Sequence, residues 1–262
     1  PLRVVLVTMD SHLASAAERA HRQLARELPG LTLTVHAAGE WGSDGAALER
    51  CRADIAQGDI VIVTMLFMED HFLPVLPALK ARRDHCDAMV CAMCAAEVMC
   101  LTRMGKFSMD KPASGALALI KRLRGKGSTQ DNKTGTTAGA QQMKMLRRLP
   151  KILRFVPGTA QDVRAYFLTL QYWLAGSQQN IGHLVHMLVQ RYAAGPRQGL
   201  RALARPQPPL EYPETGVYHP RLAGEGVHNC MSADLDHLPR VATSGKRGTV
   251  GLLMMRSYLL AC

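Results

Sequence analysis

Four cysteines lie close together in the chain: Cys86, Cys91, Cys94 and Cys100. Their spacing, C-x4-C-x2-C-x5-C, shares its first three positions with plant-type ferredoxins. Thiolates in that pattern hold iron–sulfur clusters or zinc. Two features argue against a metal centre. Cys91 and Cys94 fall in or at the end of an apolar run, 88–96, that reads as a buried strand. No Gly or Pro between Cys86 and Cys100 supplies the backbone freedom of a cluster loop. A reduced Cys in such a run behaves as a small hydrophobe. The total of 7 cysteines is odd and fits a reducing compartment better than a disulfide framework.

Gly125-Lys126-Gly127-Ser128-Thr129 invites a phosphate-loop reading, but the pattern requires G-x-x-x-x-G-K-[ST] between a strand and a helix. Here a basic helix is expected before it and more loop after it. No G-x-G-x-x-G follows the first strand either. The histidines form no zinc pair with an intervening Glu. His183 and His186 stand three apart on a predicted helix and share a face, which is most often a surface arrangement. Glu69-Asp70-His71 sets carboxylates beside an imidazole, without a nucleophile motif such as G-x-S-x-G. No catalytic, cofactor-binding or metal-ligating residue is assigned on these grounds.

The elements that would position such groups are legible. Over the first 110 residues strand and helix signals alternate. Strands are expected at 2–9, 31–37, 59–65 and 88–94, and helices at 13–24, 43–57, 72–83 and 97–104. Pro74 and Pro77 imply a kink in the third helix. Repeated β-α units imply a doubly wound parallel sheet of about four units, with helices on both faces. In such sheets ligands bind outside the carboxyl ends of the strands. The residues there are Thr8, Met9, Asp10 and Ser11, then Phe67 to Asp70, then Ala95 to Glu97. The plainer reading makes Asp10 and Ser11 helix caps.

After residue 113 the character changes. A basic helix at 116–124 is followed by a Gly/Ser/Thr/Lys-rich loop at 125–139, and helix resumes from 141 to about 155. Thr159-Ala160-Gln161-Asp162 has capping-box spacing, with Asp in place of Glu or Gln. Behind it Val163, Tyr166, Leu170 and Trp173 line one helix face, and Ile181, Leu184, Leu188 and Tyr192 line the next. At that periodicity the large aromatics belong to a core. Four parts follow: an α/β domain at 1–113, a mainly helical segment at 114–194, a Pro-rich connector at 195–247, and the first strand of a further α/β domain at 248–262. Pro at position 1 and a strand-like run just before Cys262 suggest a piece of a longer polypeptide.

Composition narrows the class. A chain of 262 residues, 47% hydrophobic and 20% charged, is globular rather than disordered. It contains no apolar run long enough to span a membrane. The charge of +11 is unevenly spread: residues 1–113 hold 12 Lys/Arg against 14 Asp/Glu, and residues 114–262 hold 20 against 7. The stretch from Lys121 to Arg154 has ten Lys/Arg and one acid, Asp131. It suits an anionic ligand, membrane or acidic partner. The aromatics that single-stranded nucleic acid binding interleaves are missing, Phe155 excepted.

Three strings carry a resemblance: Leu101-Thr102-Arg103-Met104-Gly105-Lys106-Phe107, the run Leu149 to Arg164 with Phe155-Val156-Pro157-Gly158-Thr159 inside it, and Tyr166 to Ser177. They are similar to the N-terminal region of the magnesium chelatase H subunit family, the porphyrin-binding large subunits, in its bacteriochlorophyll-pathway form. Tyr218-His219-Pro220 and 248–258 are also similar to that family. The large subunit of the cobalt-inserting chelatase is a weaker match. The resemblance implies ATP-dependent insertion of Mg²⁺ into protoporphyrin IX, both being substrates, with ATP hydrolysed by partner AAA+ subunits. It implies a cytoplasmic protein, with peripheral contact to photosynthetic membranes as an option. Neither nucleic acid nor a transmembrane segment is expected. The family's candidate catalytic residues lie beyond this chain, so none is carried over, and no cofactor is expected in these residues alone.

Overall fold

A computed structural model describes residues 1–9, 11–110, 148–222, 230–234, 236, 253–255 and 259–260. The expected helix at 116–124, the loop at 125–139 with its Gly125–Thr129 motif, and most of the strand at 248–258 lie outside the described residues, as does Asp10.

Four strands form the parallel centre of a six-stranded sheet: β1 (Leu2–Thr8), β2 (Leu31–Ala37), β3 (Ile60–Thr64) and β4 (Ala88–Ala92). The spatial order is β2-β1-β3-β4, followed by two short antiparallel strands, β5 (Arg103–Met104) and β6 (Phe107–Ser108). The central strands are apolar on both sides because helices cover both faces. Alternate residues separate cleanly. Leu6, Ile62 and Val90 join one core, while Val7, Val63 and Cys91 join the other.

One face is covered by α1 (Ala14–Glu27), α6 (Thr159–Leu174) and α7 (Gln178–Tyr192). Ala16, Ala17, Ala20 and Leu24 form the buried stripe of α1, and Pro29 and Gly30 end it. The other face is covered by α2 (Gly45–Gln57), α3 (Glu69–Phe72), α4 (Leu76–Arg82) and α5 (Ala96–Met99). Asp44 starts α2 by accepting the amide of Ala46 at 2.9 Å. The aromatic stripes of α6 and α7 are core: Tyr166, Tyr172, Trp173 and Tyr192 are buried. These helices share one apolar cluster with the sheet. The turn between them approaches α1 so closely that a Cβ on Gly176 would sit 2.9 Å from the Leu13 side chain.

Three sequence expectations change. The helix expected at 72–83, kinked by Pro74 and Pro77, begins only at Leu76 as α4: Phe72 ends the short α3, Pro74 lies in the turn between them, and Pro77 sits in the first turn of α4, where a missing amide breaks no bond. The helix expected at 97–104 is a single turn, α5, followed by the β5–β6 hairpin. Thr102 redirects the chain: its buried hydroxyl donates to the Cys91 carbonyl and accepts the Cys91 amide, both at 3.1 Å. Finally, the capping box at 159–162 does not form. Gly158 caps α6 without a side-chain bond, and Asp162 instead accepts the Lys106 amide at 2.9 Å and the Tyr192 hydroxyl at 3.0 Å. Gly105 makes that contact possible, with φ +57 and no Cβ to strike Asp162 Oδ2 at 2.7 Å.

Beyond α7 the chain forms a 3-10 helix, Gly195–Ala202, then runs extended to a two-stranded ladder, β7 (Val217–Tyr218) and β8 (Met231–Ser232). Asn180 holds the extended part by bonding both the amide and the carbonyl of Leu210, and Tyr212 donates to Ser177 Oγ at 2.9 Å.

Candidate functional site

The parallel strands all end on one side of the sheet, where the loops after β1, β2, β3 and β4 gather. β1 and β3 are neighbours whose connections leave in opposite directions, so the topological switch point lies between them. Val7 is paired with Val63, which sets Thr8 and Thr64 side by side at the last position of each strand. By alternation both lie on the face covered by α1, α6 and α7. Thr8 is 1% exposed and Thr64 fully buried, yet neither hydroxyl has a hydrogen-bond partner. Buried polar groups without partners are rare.

The backbone is also unusual here. Met65, directly after β3, has φ 63, and Met93, directly after β4, has φ 54. Left-handed conformations in non-glycine residues cost about 1–3 kcal/mol and concentrate at ligand sites. Bonds between the two strand ends hold them: the Ala95 amide donates to Leu66 O at 2.8 Å, and the Cys94 thiol lies 3.6 Å from Val63 O. The Gly39 amide ties the loop after β2 to Met9 O at 2.8 Å. At the junction of that loop with α3 the indole N–H of buried Trp41 and Nδ1 of His71 also lack partners. Of six buried side-chain polar atoms without partners among the described residues, four lie at this end.

Thr8 and Met9 stand at the switch point. Ser11 is exposed and does not cap α1 through its side chain. Phe67, Met68, Glu69 and Asp70 are exposed after β3, and Glu97 is exposed on α5. Glu69-Asp70-His71 form the short helix α3, with no nucleophilic side chain bonded to the imidazole.

Cys91 lies inside β4, Cys86 in the turn before it, and Cys94 in the loop after it, while Cys100 is exposed beyond α5. Burial raises the thiol of Cys94 to about 11 and pushes that of Cys91 well above its ordinary value, so both stay protonated. No group of three potential metal ligands forms among the described residues.

The His pair is not a surface pair. His186 is buried; its Nε2 stands 2.7 Å from Glu27 Oε2 of α1, and its Nδ1 accepts the Arg205 amide at 3.2 Å. A neutral ring carrying its proton on Nε2 satisfies both contacts. His183 accepts the Gln207 amide, and burial, then His186, lowers its pKa below the ordinary 6.5. The pair therefore joins α7 to α1 and to the extended segment.

The basic stretch is described only from residue 148. Residues 148–153 are helical and bury Leu149 and Leu153, leaving Ile152 half exposed and Phe155 84% exposed. Arg154 lies over the Phe155 ring at 5.9 Å. Cations and exposed apolar surface thus sit together.

Family models cover nearly the whole chain. Residues 3–167 match the model described as Domain of unknown function (DUF3479), and residues 170–262 match CobN/Magnesium Chelatase. The chain belongs to the first of these families. It is 46% identical over 258 residues to the magnesium-chelatase H subunit of Cereibacter sphaeroides, spanning 98% of this chain and 20% of that protein. It is 42% identical over 259 residues to the magnesium-chelatase H subunit of Rhodobacter capsulatus, again spanning 98% of this chain and 20% of that protein. The chloroplastic ChlH subunit of magnesium chelatase from Oryza sativa subsp. indica is 29% identical over 226 residues, 84% of this chain and 15% of the relative. The chain thus spans about a fifth of the first two relatives. No helix among the described residues is long and apolar enough to cross a membrane.

Proposed function

We propose that these residues form the N-terminal part of the porphyrin-binding subunit of magnesium chelatase. That enzyme inserts Mg²⁺ into protoporphyrin IX on the way to bacteriochlorophyll, with ATP hydrolysed by partner AAA+ subunits in the cytoplasm. One observation carries the reading: similarity to two bacterial H subunits extends over 98% of the chain. The four-part division expected from the sequence is kept as part of this proposal.

The described end of the basic stretch supports a role towards the tetrapyrrole. A porphyrin is a flat apolar ring bearing two carboxylates. Arg148, Lys151 and Arg154 beside exposed Ile152 and Phe155 offer cations and apolar contact on one short segment. The carboxyl-end loops offer the opposite charge and suit a propionate poorly. Within the complex this part would serve porphyrin access or motor docking rather than the insertion step.

A fluorescence titration of the full-length subunit with protoporphyrin IX tests the reading. The expected result is quenching with a dissociation constant on the order of 1 μM. Neutralising Lys144, Arg147, Arg148 and Lys151 together should abolish it. Unchanged binding in that variant removes the basic stretch from the account, and no binding by the parent protein overturns the porphyrin reading. Because one matched model pairs CobN with magnesium chelatase, cobalt insertion is the second reading. Metal uptake by the assembled complex separates the two.

A further inference from the structure

The porphyrin reading leaves the carboxyl end of the sheet unused, although the features found there are the hardest to explain as scaffold. From the structure we infer that this rim is a docking surface for a basic, apolar-containing polypeptide segment of a partner protein. The inference does not rest on the porphyrin reading.

Two independent observations converge. The first is charge. The described loops and helical turns at 38–44, 65–73 and 93–99 carry Glu40, Asp44, Glu69, Asp70 and Glu97 and no Lys or Arg, in a chain of net charge +11. Asp44 is engaged by Arg50 at 2.9 Å. Glu40, Glu69, Asp70 and Glu97 are exposed and enter no ion pair among the described residues. The second is apolar exposure. Phe67 (51%), Met68 (54%) and Leu73 (50%) stand open within the same segment as Glu69 and Asp70.

A polypeptide answers both. Its lysines and arginines meet the carboxylates, and its apolar side chains cover Phe67 and Met68. A divalent cation would leave the apolar trio exposed, and an anion would meet the carboxylates. A second copy of this chain is a poorer occupant. Its basic segment at 148–154 would meet the acidic rim of another copy in a heterologous contact, which grows without limit unless a ring closes.

The test uses the full-length protein and two fluorescein-labelled peptides of about 15 residues. One alternates Lys with Leu at helical spacing and carries a benzophenone photo-crosslinker; the other has Glu in place of each Lys. At low salt the basic peptide is expected to bind and to crosslink within 38–44, 65–73 or 93–99. The variant Glu69→Gln/Asp70→Asn should weaken it roughly tenfold, and Phe67→Ser/Met68→Ser by a similar factor. Raising the salt to about 0.3 M should weaken the parent interaction too. The inference is overturned by equal binding of the Glu peptide, by affinity unchanged within about twofold in both variants, or by crosslinks confined to other segments. Sedimentation supplies the remaining outcome. Self-association of the parent that the same substitutions abolish would assign the rim to a second copy and overturn the partner.

Discussion

The two ends of one parallel sheet have opposite chemistry. At the amino end, Asp59 and Asp87 precede β3 and β4 and are nearly buried, and each is saturated. Asp87 accepts two bonds from Arg197, at 2.9 and 3.0 Å, and the Ala194 amide at 3.0 Å. Asp59 accepts the Arg3 amide at 2.8 Å and faces Arg197 at 3.3 Å. Asp162 closes the same end by holding the turn at Lys106. At the carboxyl end Glu40, Glu69, Asp70 and Glu97 enter no ion pair among the described residues, three buried donors or hydroxyls lack partners, and two methionines adopt left-handed backbone. The amino end is therefore built for stability. The carboxyl end keeps groups open at a cost to stability, which is how a surface reserved for something else behaves.

The largest expected effect breaks the amino end. Asp87→Ala leaves the Ala194 amide unpaired and the Arg197 guanidinium with Asp59 alone, at a position where the Asp side chain is 7% exposed. Removing one partner of a buried pair costs about 3 kcal/mol or more. Urea unfolding should show a correspondingly lower midpoint, with no loss of peptide binding at the opposite rim.

A smaller effect of opposite sign is expected at the switch point. Thr64→Val replaces an unpartnered buried hydroxyl by a methyl of similar size, which should raise stability by about 1 kcal/mol in the same urea titration. A loss of stability would mean that the hydroxyl is already satisfied, and the contrast between the two ends would narrow.

The smallest effect concerns pH. His183 is held below the ordinary 6.5, so the folded state prefers its neutral form. Its contribution is complete above pH 6.5 and declines as pH falls from there towards the lower folded value, because the unfolded chain takes the proton first. Glu27 is shifted down, chiefly by the Gln23 side chain and also by His186, and its contribution is lost only in more acidic solution. His183→Gln should flatten the melting temperature between about pH 6.5 and 5 and leave the values above pH 7 nearly unchanged.

How much of this could be read from residues alone follows from the range of the interactions. The four parallel strands were legible because each is a short β-branched or apolar run bounded by turns. The aromatic stripes of α6 and α7 were legible because Tyr166, Leu170 and Trp173 repeat at helical spacing. What failed depends on distant partners. Thr102 bends the chain into a hairpin through Cys91, 11 residues earlier. Asp162 abandons its own helix for Lys106, 56 residues away. His186 becomes a core residue because Glu27 lies 159 residues upstream. At the site, topology pointed to Thr8 and Phe67–Asp70, whereas Trp41 and Thr64 passed unnoticed. No local pattern marks an indole N–H without an acceptor, and a left-handed methionine looks like any other.

The contrast between the ends is tested most directly by comparing the urea midpoint of Glu69→Gln/Asp70→Asn with that of Asp87→Ala. Both sets of carboxylates lie at strand ends, but only Asp87 is enclosed by partners. The account predicts that the double substitution shifts stability by no more than about 0.5 kcal/mol while Asp87→Ala loses several times that. Comparable losses in the two variants would show that the carboxyl-end acids are structural after all, and would contradict the assignment of that end as the open, partner-facing side of the sheet.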